Sequence, residues 1–327
     1  MTTASVTTRP ERTTTAQPAR EGTKRPELAR LSVIIPAFNE SAAIRDTLVE
    51  LRRTCPEVEV IVVDDGSLDD TGHIAGAVDG VVVYRHARNR GYGAALKTGI
   101  RKARRPYVAW YDADKQHNPE DLVCVALPVL RGEQDAVIGV RGADSAQQRN
   151  RVLGKFVLGQ VARLVSGERL PDLNSGLRCF ERRIIRCYLH LLPDGFSAST
   201  TSTLMMLKRG YRVGYVPIRA RARVGNSTVK IFSDGLRTLQ LIVRIVVLFE
   251  AFRVFTTLGA ALVLAGLAYG IPAALSYGQG IPNLAAMSII GGLLTFFMGI
   301  VADQIVELRK ERFENADTDE DSLRSES

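Results

Sequence analysis

Two long uncharged apolar runs constrain this chain more than any other feature. Val254–Leu275 and Ile281–Ala302 each exceed the ~20 residues that a helix needs to cross ~30 Å of hydrocarbon. A helix on the surface of a soluble domain shows a polar face; these runs show none. The link between them, Ser276-Tyr-Gly-Gln-Gly280, is short and uncharged. The pattern predicts a transmembrane hairpin over 254–302. Arg244 and Arg253 precede the first run, and Arg309, Lys310 and Arg312 follow the second. Excess positive charge marks the cytoplasmic side, so both ends, and with them the large N-terminal part, are expected there. No apolar run near the N-terminus reads as a signal peptide.

Charge and cysteine usage narrow the partners. The net charge is +8 although the tail, 303–327, is mostly acidic beyond Arg312, so the excess lies in the body. On a membrane-attached chain this favours anionic lipid or a phosphorylated substrate. No nucleic-acid motif is present, and no nucleic-acid partner is expected. Cys55, Cys124, Cys179 and Cys187 are scattered, with no Cys-x-x-Cys pair. That spacing suggests neither zinc nor a disulfide framework and fits a reducing compartment.

Ahead of the hairpin the chain alternates strands and helices. Residues 1–30, rich in Thr, Arg, Pro and Ala, are expected to be disordered, with a basic membrane-touching arm as the alternative. Apolar runs at Leu31–Ile35, Val58–Val63, Val81–Tyr84, Tyr107–Tyr111, Asp135–Val140 and Arg212–Val216 predict strands, with helical patterns between them. The alternation predicts a mostly parallel α/β sheet over 31–230. Ligands collect at the carboxyl ends of parallel strands. Pro36–Glu40, Asp64-Asp65 and Asp112–Asp114 all follow strands, so they are expected to converge.

The fourth strand runs straight into Asp112-Ala-Asp114-Lys-Gln116. Spaced two apart, Asp112, Asp114 and Gln116 would share one side of an extended segment. Three oxygen donors suit Mg2+ or Mn2+, and such an ion can neutralise a departing diphosphate. The plain alternative is a solvated turn. Asn118 is expected to cap the next helix, with Pro119 in its first turn. Gly91-Tyr-Gly93 reads as a tight turn letting backbone approach a ligand or a neighbouring strand. Lys97 could reach a phosphate or lie in solvent.

Basic segments follow. Arg149, Arg151, Lys155 and Arg163 are spaced for an amphipathic helix near a membrane or an ordinary surface helix. Asp172–Phe180 reads as a loop leading into a strand, and helices are expected near 182–191 and 197–209. Arg219, Arg221, Arg223 and Lys230 form a dense basic run, and 231–253 predicts an interfacial amphipathic helix feeding the hairpin.

Five segments occur in order: Pro36-Ala-Phe-Asn-Glu40, Val63-Asp-Asp-Gly-Ser67, Asn89-Arg-Gly-Tyr-Gly-Ala-Ala-Leu-Lys-Thr-Gly99, Asp112-Ala-Asp-Lys-Gln-His117 and Asn174-Ser-Gly-Leu-Arg178. Through them, residues 31–230 resemble family 2 glycosyltransferases of the GT-A fold. Arg223-Val-Gly-Asn-Ser227 is similar to a segment of the polyprenyl-phosphate branch, which includes dolichyl-phosphate mannose synthases. The two-span tail most resembles that branch's bacterial glucosyltransferases. The resemblance implies that Pro36, Ala37, Glu40, Asp64, Asp65 and Asp112 line a nucleotide pocket, Asp65 contacting base or ribose. It implies that Asp112, Asp114 and Gln116 hold the metal, and that Arg141 and Arg223 grip phosphate of donor or acceptor. Arg149 or Arg151 would join them, with Asp172, Ser175 and Ser227 on the acceptor side. Asn174 and Leu177 depart from the Thr and Phe usual in the family.

The expected partners are a UDP- or GDP-linked sugar, a polyprenyl phosphate and the bilayer, with self-association through the hairpin. The expected reaction is in-line attack of a lipid phosphate oxygen on the anomeric carbon, with inversion. A phosphate is already anionic near pH 7, its second pKa being about 6, so no general base is assigned. Three alternatives compete. A processive polysaccharide synthase would want a Gln-x-x-Arg-Trp segment, and the single tryptophan is Trp110. The others are a transferase acting on another lipid such as ceramide, and an inactive scaffold that binds nucleotide-sugar.

Overall fold

The computed structural model describes residues 25–142, 170–172, 175–195, 197–219, 221, 251–277 and 280–325. A short 3-10 turn, Pro26–Arg30, leads into β1 (Leu31–Ala37). Then come α1 (Ile44–Thr54), β2 (Glu59–Asp64), α2 (Thr71–Gly76), β3 (Val81–Arg85), α3 (Tyr92–Lys102), β4 (Tyr107–Trp110), α4 (Pro119–Leu130) and β5 (Ala136–Arg141). The sheet domain closes with β6 (Arg178–Glu181), α5 (Arg182–Cys187), α6 (Ala198–Lys208) and β7 (Val213–Ile218). Seven strands form one sheet in the order β3-β2-β1-β4-β6-β5-β7. β6 runs antiparallel to both β4 and β5, while the other pairings are parallel. A sheet that is mostly parallel therefore carries one reversed strand in its interior.

Strands covered on both faces must be apolar throughout. β1 is buried at every position, and β2 at every position after Glu59. α1 buries Ile44, Thr47, Leu48 and Leu51, the i, i+3, i+4, i+7 spacing of a helix with one inward face. On the other side of the sheet Trp110 and Phe180 pack with ring centroids 5.0 Å apart. Each such fully buried side chain contributes roughly 1.5–3 kcal/mol.

Three local expectations change. Leu28 lies within the span expected to be disordered, yet it is 1% exposed and packs in the core. Its neighbour Arg25 pairs with Glu120 on α4. The helix expected near 182–191 stops at Cys187. Gly91, at φ +103°, and Gly93 approach the backbone of Pro193–Gly195, where any Cβ would overlap a carbonyl oxygen. The close approach is thus to a loop, and Lys97 joins it, bonding Leu192 O at 3.1 Å and pairing with Asp194.

Two apolar helices, α7 (Ala251–Tyr277) and α8 (Asn283–Ser325), form a hairpin. Gly259 and Gly292 face each other: a Cβ on either would stand 2.7 Å from the other's carbonyl oxygen. Small residues let helix backbones close up where burial from water supplies no drive. Outward-facing Leu264, Leu275, Leu284 and Met287 are exposed, a surface suited to lipid. Residues 251–253 already belong to α7, and α8 continues well past Ala302 into the acidic tail. The rest of the predicted interfacial helix lies outside the described residues.

Candidate active site

The carboxyl ends of β1, β2 and β4 meet as the pattern of strands requires, because β1 lies between the other two. Asp65 N bonds Ala37 O at 2.8 Å, and Tyr111 N bonds Ile34 O at 3.0 Å. Asn39 N donates to Ser67 Oγ (3.0 Å), Glu40 N to Thr71 Oγ1 (2.8 Å) and Leu68 N to Asn39 Oδ1 (2.9 Å). The loops after β1 and β2 thereby form one unit. Asn39 (φ 54°) and Lys115 (φ 60°) are the non-glycine residues in the left-handed region among the described residues. Both sit in loops at this end of the sheet, where backbone strain tends to gather at functional sites.

Asp64 and Asp65 face inward. Asp65 is 3% exposed and accepts from Arg90 N (3.0 Å) and Gly91 N (2.7 Å) while its Oδ1 lies 2.6 Å from His86 Nδ1. His86 Nε2 lies 2.9 Å from Thr98 Oγ1. Asp64 accepts from Ser67 N (2.9 Å), and its other oxygen lies against Gly72, 3.3 Å from Arg85 Nε. Both carboxylates hold the loop's shape. Beside them lies an open hollow of about 430 Å3 lined by Gly66, Ser67, Leu68, Arg85, His86 and Ala87. It shares no residue with the Asp112 set.

Asp112 is differently placed. It follows β4 and keeps 24% of its side chain exposed. Tyr92 donates its hydroxyl to Oδ1 (3.0 Å), and His117 Nε2 lies 3.1 Å from Oδ2. The economical arrangement has Nε2–H donating to Asp112. It leaves His117 Nδ1, which has no partner among the described residues, as a bare lone pair rather than an unmet donor. Burial raises the Asp112 pKa, but His117, Tyr92 and Arg141 more than offset it, and the value falls below the ordinary one. Burial beside Asp112 pushes the Tyr92 phenol well up, so it remains a donor. Gly91 and Tyr92 thus connect the two acidic tips, Gly91 N on Asp65 and Tyr92 Oη on Asp112.

Asp114 is 7% exposed, and its Oδ1 accepts from Gln116 N at 3.1 Å. The segment from Asp112 to Gln116 is not extended: β4 ends at Trp110 and the chain turns at Lys115. A two-residue spacing therefore does not put the three side chains on one side of a strand. Among the described residues no three His, Cys, Asp or Glu side chains cluster as a complete metal site. The donor set still fits a hard cation, since Mg2+-type sites use one or two carboxylates and take further oxygens from substrate phosphates.

Arg141 forms a two-pronged pair with Asp172, Nε–Oδ2 2.8 Å and Nη2–Oδ1 3.0 Å. That bond raises the Arg141 pKa, against burial and with help from Asp172, Asp112 and Asp114. Pro36 and Ala37 are buried in β1, and Ser175 is buried with its hydroxyl unpartnered among the described residues. Arg149, Arg151, Arg223 and Ser227 lie outside the described residues. Sequence reasoning gave no role to Tyr92 or His117. His117 carried a weak signal, closing the Asp112–His117 segment; Tyr92 carried none that distinguishes a ligand-holder from a turn residue.

Residues 32–190 match the family described as Glycosyl transferase family 2, and residues 252–308 match one described as GtrB C-terminal hairpin. The polyprenol monophosphomannose synthase of Mycolicibacterium smegmatis is 31% identical over 203 residues, 58% of this chain and 76% of that protein. The UDP-N-acetylglucosamine–dolichyl-phosphate N-acetylglucosaminyltransferase of Methanococcus voltae is 28% identical over 57% of this chain and 84% of its own length. Among solved structures, glucosyl-3-phosphoglycerate synthase from Mycobacterium tuberculosis, in complex with Mn2+, UDP and glucosyl-3-phosphoglycerate, is similar. Its TM-score is 0.55 at 21% identity, covering 70% of this chain and 85% of that one. At that identity the likeness establishes the fold alone.

Proposed function

This chain belongs to glycosyl transferase family 2, and from that premise we propose that it moves a sugar from a nucleotide-sugar to a polyprenyl phosphate at a membrane surface. One observation carries the reading: a strand-end carboxylate pair, with Asp112 oriented by Tyr92 and His117, occurs on the same chain as a hairpin of two apolar helices. A soluble donor and a lipid-borne acceptor need that combination. Two relatives named for polyprenol or dolichyl phosphate support the acceptor class. The flanking arginines and lysine support a cytoplasmic catalytic domain, by the excess of positive charge on that side of membranes.

In this mechanism the nucleoside lies by the loops after β1 and β2, with Pro36, Ala37, Glu40 and the Gly66–Leu68 backbone nearby. Asp64 and Asp65 act through the loop they shape. Asp112 and Asp114, with Gln116, would hold a divalent cation, which when bound neutralises charge on the leaving diphosphate. Tyr92 and His117 keep the Asp112 carboxylate oriented and ionised. Arg141, aimed by Asp172, attracts phosphate, and Arg223 is assigned the same work. An acceptor phosphate oxygen forms a bond to the anomeric carbon as the bond to the diphosphate oxygen breaks, with inversion. The electron pair leaves on the nucleoside diphosphate, and an ionised phosphate has no proton to remove. Holding the reactants in line is then the protein's main contribution.

The test incubates the purified full chain in vesicles with labelled UDP- or GDP-sugars and polyprenyl phosphate. Label entering the organic phase, and stopping on chelation of divalent cations, is the expected result. Binding of nucleotide-sugar without transfer to any lipid phosphate would favour the scaffold reading instead.

A further inference from the structure

Arg178 is fully buried on β6, and removing a guanidinium from water costs several kcal/mol unless its hydrogens are met. Nε donates to Ser175 O (2.7 Å), and Nη1 to Ser199 O (2.6 Å), Thr203 Oγ1 (2.6 Å) and Ser202 Oγ (3.2 Å). One side chain thus joins the turn before β6 to the first turns of α6. Across the antiparallel ladder Arg178 is the register partner of Trp110. Continuing that register by two residues sets Gly176 opposite Asp112. There a Cβ on Gly176 would overlap the Asp112 carboxylate. The turn that Arg178 grips is therefore the wall against which Asp112 rests.

We propose that Arg178 is a positioning residue for transfer: its guanidinium fixes the Ser175–Leu177 turn so that bare backbone at Gly176 seats the Asp112 carboxylate for the cation. An aliphatic residue would fill the same space without the cost of a buried charge, but it would not bond Ser175 and Ser199 at once. Gly176 supplies the second half of the device. It has no left-handed backbone to demand glycine, so the close approach to Asp112 is what excludes a side chain.

The inference rests on the cation reading of Asp112, and the experiment separates the two. Wild type, Gly176→Ala, Arg178→Lys and Arg178→Met are compared as full chains in nanodiscs. Three quantities are read: Mn2+ binding without turnover, from the electron-spin signal of free Mn2+ with UDP or GDP present; kcat and donor KM; and thermal midpoint. Gly176→Ala is expected to keep the wild-type midpoint and lose about tenfold or more in Mn2+ affinity, the usual range for a residue that orients a metal ligand. Arg178→Met is expected to lose about 100-fold in kcat with weaker Mn2+ binding per folded molecule. Arg178→Lys, with one point donor for the fork, should regain stability but less than tenfold in kcat. Mn2+ binding and kcat within about twofold of wild type in Gly176→Ala overturn the proposal. So do Arg178 losses that merely track the unfolded fraction. A wild type that transfers sugar without any divalent cation overturns the cation reading itself.

Discussion

Two acidic tips on neighbouring parts of one sheet have opposite fates. Asp64-Asp65 ends β2 and Asp112-Ala-Asp114 follows β4, and in sequence both are carboxylates at the end of an apolar run. The β2 pair is turned inward, Asp65 held by His86, Arg90 N and Gly91 N, and Asp64 by Ser67 N and an ion pair with Arg85. The β4 pair is steered: Tyr92 and His117 leave Asp112 partly exposed. The difference lies in the partners that the tertiary structure delivers. Two backbone amides and an imidazole enclose the Asp65 carboxylate, whereas Asp112 has a phenol and an imidazole but no such pair of amides and stays partly open.

The sharpest way to break this contrast is to remove one carboxylate from each tip. Asp114→Ala is expected to reduce transfer by about 1,000-fold or more, as losing a principal charge stabiliser does, with the protein still folded and membrane-inserted. Near-normal turnover in that variant would cancel the assignment. Asp65→Ala should act in the opposite sense. It strands a histidine and two amide donors in a buried site, costing on the order of 3 kcal/mol of stability. Chemical denaturation should show that loss, and an unshifted midpoint would mean the β2 tip is not structural.

Smaller changes sharpen the comparison. Tyr92→Phe removes one hydrogen bond to a charged group, worth about 1.5–3 kcal/mol, and should lower kcat by about 10–100-fold without altering the fold. Equal losses in midpoint and rate would make Tyr92 a packing residue. The mildest effect concerns pH. Arg212 hydrogen-bonds Asp135 and holds its pKa below the ordinary carboxylate value. A depressed folded pKa gives stability that is complete above the unfolded value, about 3.9. That stability fades as pH falls through the folded one. Asp135→Asn should therefore flatten the acid limb of a midpoint-against-pH curve and leave it unchanged near neutrality. An identical acid limb would dismiss the pair as a contributor.

The legible parts of this molecule are those set by local pattern. Unbroken apolar runs announced the strands, Asn118-Pro119 announced the start of α4, where Asn118 accepts from Glu120 N, and the uncharged lengths of α7 and α8 announced a hairpin. Less legible were features whose partners are remote. Leu28 looked like part of a polar tail until its core contacts were visible. Lys97 looked like a solvent or phosphate residue, and it is tied to a loop almost a hundred positions away.

From its sequence alone, the chain had already settled which segments are apolar and with what period, and hence a sheet with helices on it, a bilayer-length hairpin, and acids at strand ends. Only the folded chain decided that β6 enters the sheet reversed, that Gly176 comes opposite Asp112, and that Arg178 is buried beside them. Periodicity is a property of neighbours along the chain. The direction in which a carboxylate points is fixed by groups brought to it from other strands and helices, and no local pattern encodes them.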